Sequence, residues 1–307
     1  MSSQMSHLLV LTFVSAFCAA LAVSDTCGQS EEPPSPTSEC CGLDLADDHR
    51  NISGDAAINQ FPWLALIEHN EGRLTCTGVL ISSRYVLTAA QCLYHAPKNV
   101  RLGEYNKTNS GPDCLIVKGK QVCNGGAITI PIESVVSHPE FNLPKYHGHD
   151  IAIIKLAKQV PFNEFIRPIC LPTSDITASP PNNLRLINAG WGSKPSSDRE
   201  DDVVKHYVEL PFIPIKRCKE IYKHEENPNR VSASVSDNHI CAGGEQGLDS
   251  CRGDGGGPLM SEEGGRYTLA GIVSFGPVPC GRKGVPSVYT KVYSYLPWIN
   301  KVISTKM

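Results

Sequence analysis

Thirteen cysteines in 307 residues constrain this chain more than any other feature. One of them, Cys18, lies inside MSSQMSHLLVLTFVSAFCAALAVS, where Leu8 to Val23 are nearly all apolar or small and Ala20-Leu21-Ala22 offers a small-x-small cleavage site. That stretch, residues 1–22, reads as a secretory signal peptide, although it carries no Lys or Arg at its start. It falls short of the ~18 to 20 apolar residues that a spanning helix needs. Removing Cys18 with the leader leaves twelve cysteines, an even number that suits six disulfides in an oxidising compartment. The sequons Asn51-Ile52-Ser53 and Asn106-Lys107-Thr108 agree with a secreted, extracellular protein glycosylated at Asn51 and Asn106.

Between the cysteines the texture is that of a globular protein, with 41% hydrophobic and 19% charged residues. Lys and Arg total 28 against 31 Asp and Glu, and no long run of one sign occurs. Charge therefore gives no argument for nucleic acid or a membrane surface as partner. Residues 23–50 form a polar, Pro-rich arm without apolar periodicity, held by Cys27, Cys40 and Cys41. Beyond it, short apolar or alternating runs (WLALIEH, TGVLIS, YVLTAA, IAIIKL, LRLINAGW, YTLAGIVSF, SVYTKV) recur between Gly, Pro and Asn turns, the pattern of an all-β barrel or sandwich. Only the C-terminal YLPWINKVIS reads as helical, with Leu296, Ile299 and Val302 or Ile303 on one face and Pro297 in the first turn.

Six stretches occur in a fixed order: FPWLALI (61 to 67), YVLTAAQC (85 to 92), HDIAIIKL (149 to 156), DSCRGDGGGPL (249 to 259), IVSFG (272 to 276) and PSVYTKV (286 to 292). Together they resemble the trypsin-like serine protease family over residues 51–303. The resemblance implies two six-stranded antiparallel β-barrels of the chymotrypsin type with a C-terminal helix, an N-barrel over about 51–165, a C-barrel over about 166–307, and a cleft between them. In that family an imidazole base, oriented by a buried carboxylate, takes the proton of a serine nucleophile. The positions of base, carboxylate and nucleophile fall on Gln91, Asp150 and Gly255, and Asp150 alone matches. An amide is no base near neutral pH and glycine offers no nucleophilic atom. In subtilisin the loss of either Ser or His costs about a millionfold in turnover, so two such losses leave no functional catalytic residue. A buried Asp150 still needs a donor, and the Gln91 amide is expected to supply one.

The same resemblance assigns the remaining candidates. Asp249 falls at the base of the primary pocket, where the family's aspartate selects Arg or Lys. Ser274 to Gly276 falls at its wall, and Ser287 replaces a glycine in a way that shortens or diverts it. Cys76 with Cys92, Cys218 with Cys241, and Cys251 with Cys280 occupy the positions of common bridges. Cys114 and Cys123 sit in an inserted loop of the kind that arthropod clip-type proteases bridge. Cys170 is implied to tether the arm, with Cys41 as first choice and Cys40 as second. Three arm cysteines are too few for a complete clip domain. Activation in the family follows cleavage at a position matching Arg50, after which the new ammonium pairs with an aspartate matching Asp254. Here the new terminus would be Asn51, and a glycan on Asn51 would exclude its insertion; mass spectrometry finding a glycosylated Asn51 with a buried ammonium would refute that.

Glu104, Asn106 and Asp113 match or neighbour a loop where family members hold calcium, the only cofactor the chain suggests. His147 and His149 in YHGHD invite a metal, but no third ligand is placed by sequence. Arg252-Gly253-Asp254 spells an adhesion tripeptide, yet the fold implies that Asp254 points inward. The functional expectation is a secreted, catalytically inactive homologue. Its partners would be proteases, zymogens or other proteins of an extracellular cascade such as prophenoloxidase activation or Toll-type signalling. A decoy that occupies substrates or inhibitors reversibly is a related possibility. The alternative is an active trypsin-like serine endopeptidase cleaving after Arg or Lys.

Overall fold

The structure, a computed structural model, describes residues 27–28, 30–46, 52–94, 96–117, 119–141, 148–195, 202–224 and 235–305. The expected leader, Arg50, Asn51 and His147 lie outside them. The apolar runs become short strands because Val, Ile, Leu, Thr and Tyr suit a pleated, half-buried surface and the Gly, Pro and Asn clusters between them turn the chain. In the first half these are β1 (Ser53–Asp55), β2 (Leu64–Glu68), β3 (Leu74–Leu80), β4 (Tyr85–Thr88), β5 (Asn99–Leu102), β6 (Cys114–Val117), β7 (Lys120–Cys123), β8 (Ile128–Ser137) and β9 (Ala152–Leu156). The second half contains β10 (Arg185–Gly190), β11 (His206–Ile213), helix α1 (Ile215–His224), β12 (His239–Gly243), β13 (Pro258–Glu263), β14 (Arg266–Phe275), β15 (Pro286–Lys291) and helix α2 (Leu296–Ser304).

Strands β2, β3, β4, β9, β8 and β5 close into an antiparallel barrel, with β6 and β7 as a separate hairpin. The sequence β11-β10-β13-β14-β15-β12 closes likewise, because Phe212 and Ile213 of β11 pair with Ala242 and Cys241 of β12. The expected pair of six-stranded barrels is therefore present. One boundary differs: β1 pairs with β11, Ser53 opposite Val208, so the segment from residue 53 joins the second barrel's sheet and the first barrel begins at Leu64. The chain then crosses on an aromatic cluster in which Phe61 lies 5.8 Å from Tyr207 and 5.7 Å from Tyr267, and Trp63 lies 5.1 Å from Tyr267. Such side chains contribute roughly 1.5 to 3 kcal/mol each when fully buried, which fixes the two barrels against one another.

The helical expectation needs a correction. The C-terminal helix is present as α2, with Ile299, Val302 and Ile303 buried. Yet α1 is also helical, with Ile215, Cys218, Ile221 and Tyr222 recurring at helical spacing after Pro214 and basic residues in its last turn. Its ten residues show too brief a period to stand out beside longer apolar runs.

All twelve remaining cysteines pair: Cys27–Cys40, Cys41–Cys170, Cys76–Cys92, Cys114–Cys123, Cys218–Cys241 and Cys251–Cys280. The arm is thereby tied to the barrels rather than trailing. Arg266 donates to the carbonyls of Ser38 and Cys41, and Ser83 Oγ to that of Ser30. Gly42 must be glycine there, since its φ is 70° and a Cβ would meet the Tyr267 carbonyl at 2.3 Å. No described helix is long and apolar enough to cross a membrane.

Candidate functional site

Gln91 sits on the turn that follows β4, and Asp150 on the connection that enters β9. These two strands are hydrogen-bonded neighbours, with Thr88 opposite Ala152, so their ends deliver both side chains to one place. The second barrel supplies Ser274 from the end of β14. Asp150 is fully buried, and its charge is met by donors on both oxygens. Oδ1 accepts the Gln91 amide at 2.9 Å, while Oδ2 accepts Gln91 Nε2 at 2.8 Å and Ser274 Oγ at 2.6 Å. Burial pushes its pKa up to about 6, against the opposing pull of the Ser274 hydroxyl and the Gln91 donors.

Gln91 Nε2 also donates to the Ser274 carbonyl at 2.6 Å. Both partners of this nitrogen are acceptors, which fixes the orientation of the amide: the NH2 group faces inward and both of its hydrogens are used. The side chain thus reproduces the orienting half of an imidazole and has no lone pair there to take a proton.

Gly255 lies in the loop that joins Cys251 to β13. Its carbonyl accepts the Thr77 amide at 2.9 Å, and Thr77 Oγ1 reaches the Gly253 carbonyl at 3.3 Å, which anchors this loop of the second barrel on β3 of the first. Neighbouring glycines differ sharply in what they require. A Cβ on Gly256, whose φ is 81°, would meet Thr88 Oγ1 at 2.2 Å and the Thr77 carbonyl at 2.3 Å. A Cβ on Gly255 would meet nothing within 4 Å, and its backbone lies outside the left-handed region. Packing demands glycine at 256 and merely permits it at 255. Neither the Gly253 nor the Gly255 amide donates to an acceptor among the described residues.

The primary-pocket candidates also come together. Asp249, buried, accepts Ser287 Oγ at 2.6 Å on Oδ1 and the Gly281 amide at 2.9 Å on Oδ2, and burial pushes its pKa up to about 6. Ser287 Oγ lies 2.3 Å from where a Gly276 Cβ would be. The added hydroxyl therefore fills the space between the pocket's wall and its acid, and occupies an oxygen that a basic side chain would use.

Asp254 is buried, as its inward orientation required, with Oδ1 on the Gly192 amide and Oδ2 on the Cys251 amide, each at 3.0 Å. Burial again raises its pKa. Arg252 is exposed, so the tripeptide cannot be displayed as a unit. Ser53, Gly54, His206, Asp249 and Gly281 border a cavity of 420 Å³ next to β1.

The calcium candidates are committed elsewhere. Glu104 Oε2 faces Arg101 Nη1 at 3.2 Å and its Oε1 accepts the Tyr105 amide, while Asp113 accepts the Asn106 amide and Asn109 Nδ2. A guanidinium thus already pairs with the Glu104 carboxylate. Asn106 Oδ1 accepts the Thr108 hydroxyl at 2.7 Å and the Thr108 amide at 3.1 Å, on an exposed turn. His149 lies beside Asp150 at the edge of the site. The obstruction expected at Ser287 takes the form of a hydrogen bond to Asp249. Sequence reasoning missed the Gln91–Ser274 contact, because it joins residues far apart in the chain.

Two antiparallel six-stranded barrels, with an acid held at their junction and a glycine loop opposite, define a chymotrypsin-type fold. The trypsin family model matches residues 52–299, and the chain belongs to that family. It is 44% identical to the phenoloxidase-activating enzyme of Bombyx mori, over 88% of this chain and 64% of that protein. It is 38% identical to melanization protease 1 of Drosophila melanogaster, over 86% of this chain and 68% of that protein. The crystal structure of the Drosophila Grass clip serine protease of the Toll pathway superposes with a TM-score of 0.73 at 30% identity, covering 87% of this chain and 75% of that one. The chain spans just under two thirds of the length of the first of these relatives.

Proposed function

We propose that this protein is a secreted trypsin-family member without peptidase activity that works by binding within an extracellular proteolytic cascade, with proteases, zymogens or their substrates as partners. The observation that carries this reading is the fork of the Gln91 amide, which uses both N–H groups on Asp150 and on the Ser274 carbonyl. The position of the base is then filled by a group that orients the acid and cannot accept a proton. Gly255 adds the missing nucleophile in a loop where nothing prevents a side chain. Two independent departures, of which the one at Gly255 is not imposed by packing, support a surface retained for binding. Phenoloxidase activation, melanization and the Toll pathway are named for the relatives, and they direct the proposal toward innate immunity.

The test uses purified protein, intact and cleaved after Arg50, offered fluorogenic peptides containing Arg or Lys and used as bait in body fluid. No cleavage, together with retention of a cascade protease or zymogen, is the expected outcome. Failure of both forms to retain such a protein would remove the binding role. Turnover abolished by Asp249→Ala would establish an active trypsin-like endopeptidase instead.

A further inference from the structure

His149 completes a group of side chains that the cleft does not use. Its φ is 56°, in the left-handed region that residues other than glycine seldom occupy. Its ring stacks on that of His138, the residue after β8, with 4.7 Å between centroids and 11° between planes. Glu140 closes the group: its Oε2 lies 3.2 Å from His149 Nε2. One ligand atom from each of the three residues lies within 4.8 Å of the other two. The surroundings are aromatic, with Tyr295 edge-on to both rings at 5.3 and 5.8 Å and Trp298 at 5.2 Å from His138.

We propose that His138, Glu140 and His149 bind a divalent transition metal of the zinc class. Two imidazoles and one carboxylate, with a fourth position open to water, form a donor set that suits zinc, and imidazole ligands distinguish it from a calcium or magnesium site. The support around the donors agrees. The Tyr295 hydroxyl lies 3.2 Å from His149 Nδ1. Nδ1 is thereby engaged by a hydroxyl, as the second nitrogen of a ligating imidazole usually is, which leaves Nε2, facing Glu140 Oε2 at 3.2 Å, as the atom that would hold the ion.

Binding requires a local adjustment. Bonds of about 2.0 to 2.2 Å from zinc to N and O bring ligand atoms to about 3.4 Å apart in tetrahedral geometry. Glu140, whose side chain is 71% exposed, can swing inward at little cost. The two rings must tilt out of their stack, because a metal sits in the plane of each ligating imidazole. A bound ion would then tie the end of β8 to the connection that carries Asp150, against α2. Glu140 and His138 escape a reading of YHGHD because they lie across the β8–β9 connection from it.

The test is a titration of the full chain, stripped with EDTA and dialysed, with ZnCl2 by calorimetry and with CoCl2 by visible absorption. One Zn2+ per chain and a four-coordinate Co2+ spectrum are expected. Both should be lost in His149→Gln and in His138→Gln, kept in the exposed control His224→Gln, and weakened about 10- to 100-fold in Tyr295→Phe, which removes only the supporting hydroxyl. If the histidine variants do not fold, Glu140→Gln and Tyr295→Phe carry the test, with both expected to weaken binding. Absence of Zn2+ binding, or binding that survives the ligand substitutions, would overturn the site.

Discussion

Two buried aspartates, one on each half of the chain, share nearly the same surroundings and have come to different ends. Each accepts a serine hydroxyl at 2.6 Å and a backbone amide at 2.9 Å, from Ser274 and Gln91 at Asp150, and from Ser287 and Gly281 at Asp249. Each has its pKa pushed up to about 6 by burial. Asp150 carries one donor more, the Gln91 side chain, which stands where the family has its base and keeps the acid solvated. At Asp249 the hydroxyl comes from Ser287, which lies against Gly276 at the pocket wall. On the proposed reading, the first site is a catalytic frame kept without its reaction, and the second is a pocket closed by one oxygen. In both places the buried carboxylate is held by hydrogen bonds from the chain itself.

The comparison can be broken most severely through pH at the closed pocket. The folded pKa of Asp249 lies about two pH units above the ordinary value of ~3.9, so its contribution to stability is fully present below about pH 4 and is lost as pH rises through about 6. The loss is about 3 kcal/mol. Urea midpoints between pH 4 and 7 should lack this component in Asp249→Asn, and an unchanged slope would show that the acid is not held in so poorly solvating a site. At the framed acid, Gln91→Leu removes a hydrogen bond to a buried charge and leaves the Ser274 carbonyl unpaired. Its cost is expected at about 2 kcal/mol in the same assay, and a neutral result would deny Gln91 its orienting role.

Reopening the pocket should have a smaller effect. Ser287→Gly frees Asp249 Oδ1 and the space beside Gly276, and benzamidine affinity measured by fluorescence should rise about tenfold, or ~1.4 kcal/mol. No gain would mean that the hydroxyl is not what closes the pocket. The smallest change is expected at Gly255, where Gly255→Ser meets open space and reduces the freedom of the unfolded chain. A gain of about 0.5 kcal/mol in unfolding free energy is predicted, and a loss would mean that packing requires glycine.

Much of this was legible before the structure. The strands followed apolar runs between turn residues, and Gln91 and Gly255 announced themselves as departures inside otherwise matching motifs. The first choice for the arm's tether, Cys41 with Cys170, is the observed pair, which leaves Cys27 to Cys40. Helix α1 escaped because a short amphipathic stretch carries little periodic signal. The placement of β1 escaped because strand pairing is a long-range choice that a three-residue segment does not encode. The local motifs already pointed to a Gln91 donor for Asp150 and to an obstruction at Ser287. The second arm of the Gln91 fork, on the Ser274 carbonyl, and the company of His149 depend on side chains brought together by closure of the barrels, and a local pattern contains no trace of them.

The central claim is that the catalytic frame survives without its base and nucleophile. Labelling by a fluorophosphonate, which reacts with an activated serine regardless of the primary pocket, tests it most directly. It should be applied to the wild-type chain, to Gly255→Ser and to Gln91→His/Gly255→Ser, each cleaved after Arg50. The account predicts no labelling of the wild type, slow labelling of the single variant and far faster labelling of the double variant, because Asp150, Ser274 and the free loop amides are already in place. Labelling of the wild type, or a double variant no faster than Gly255→Ser, would contradict it.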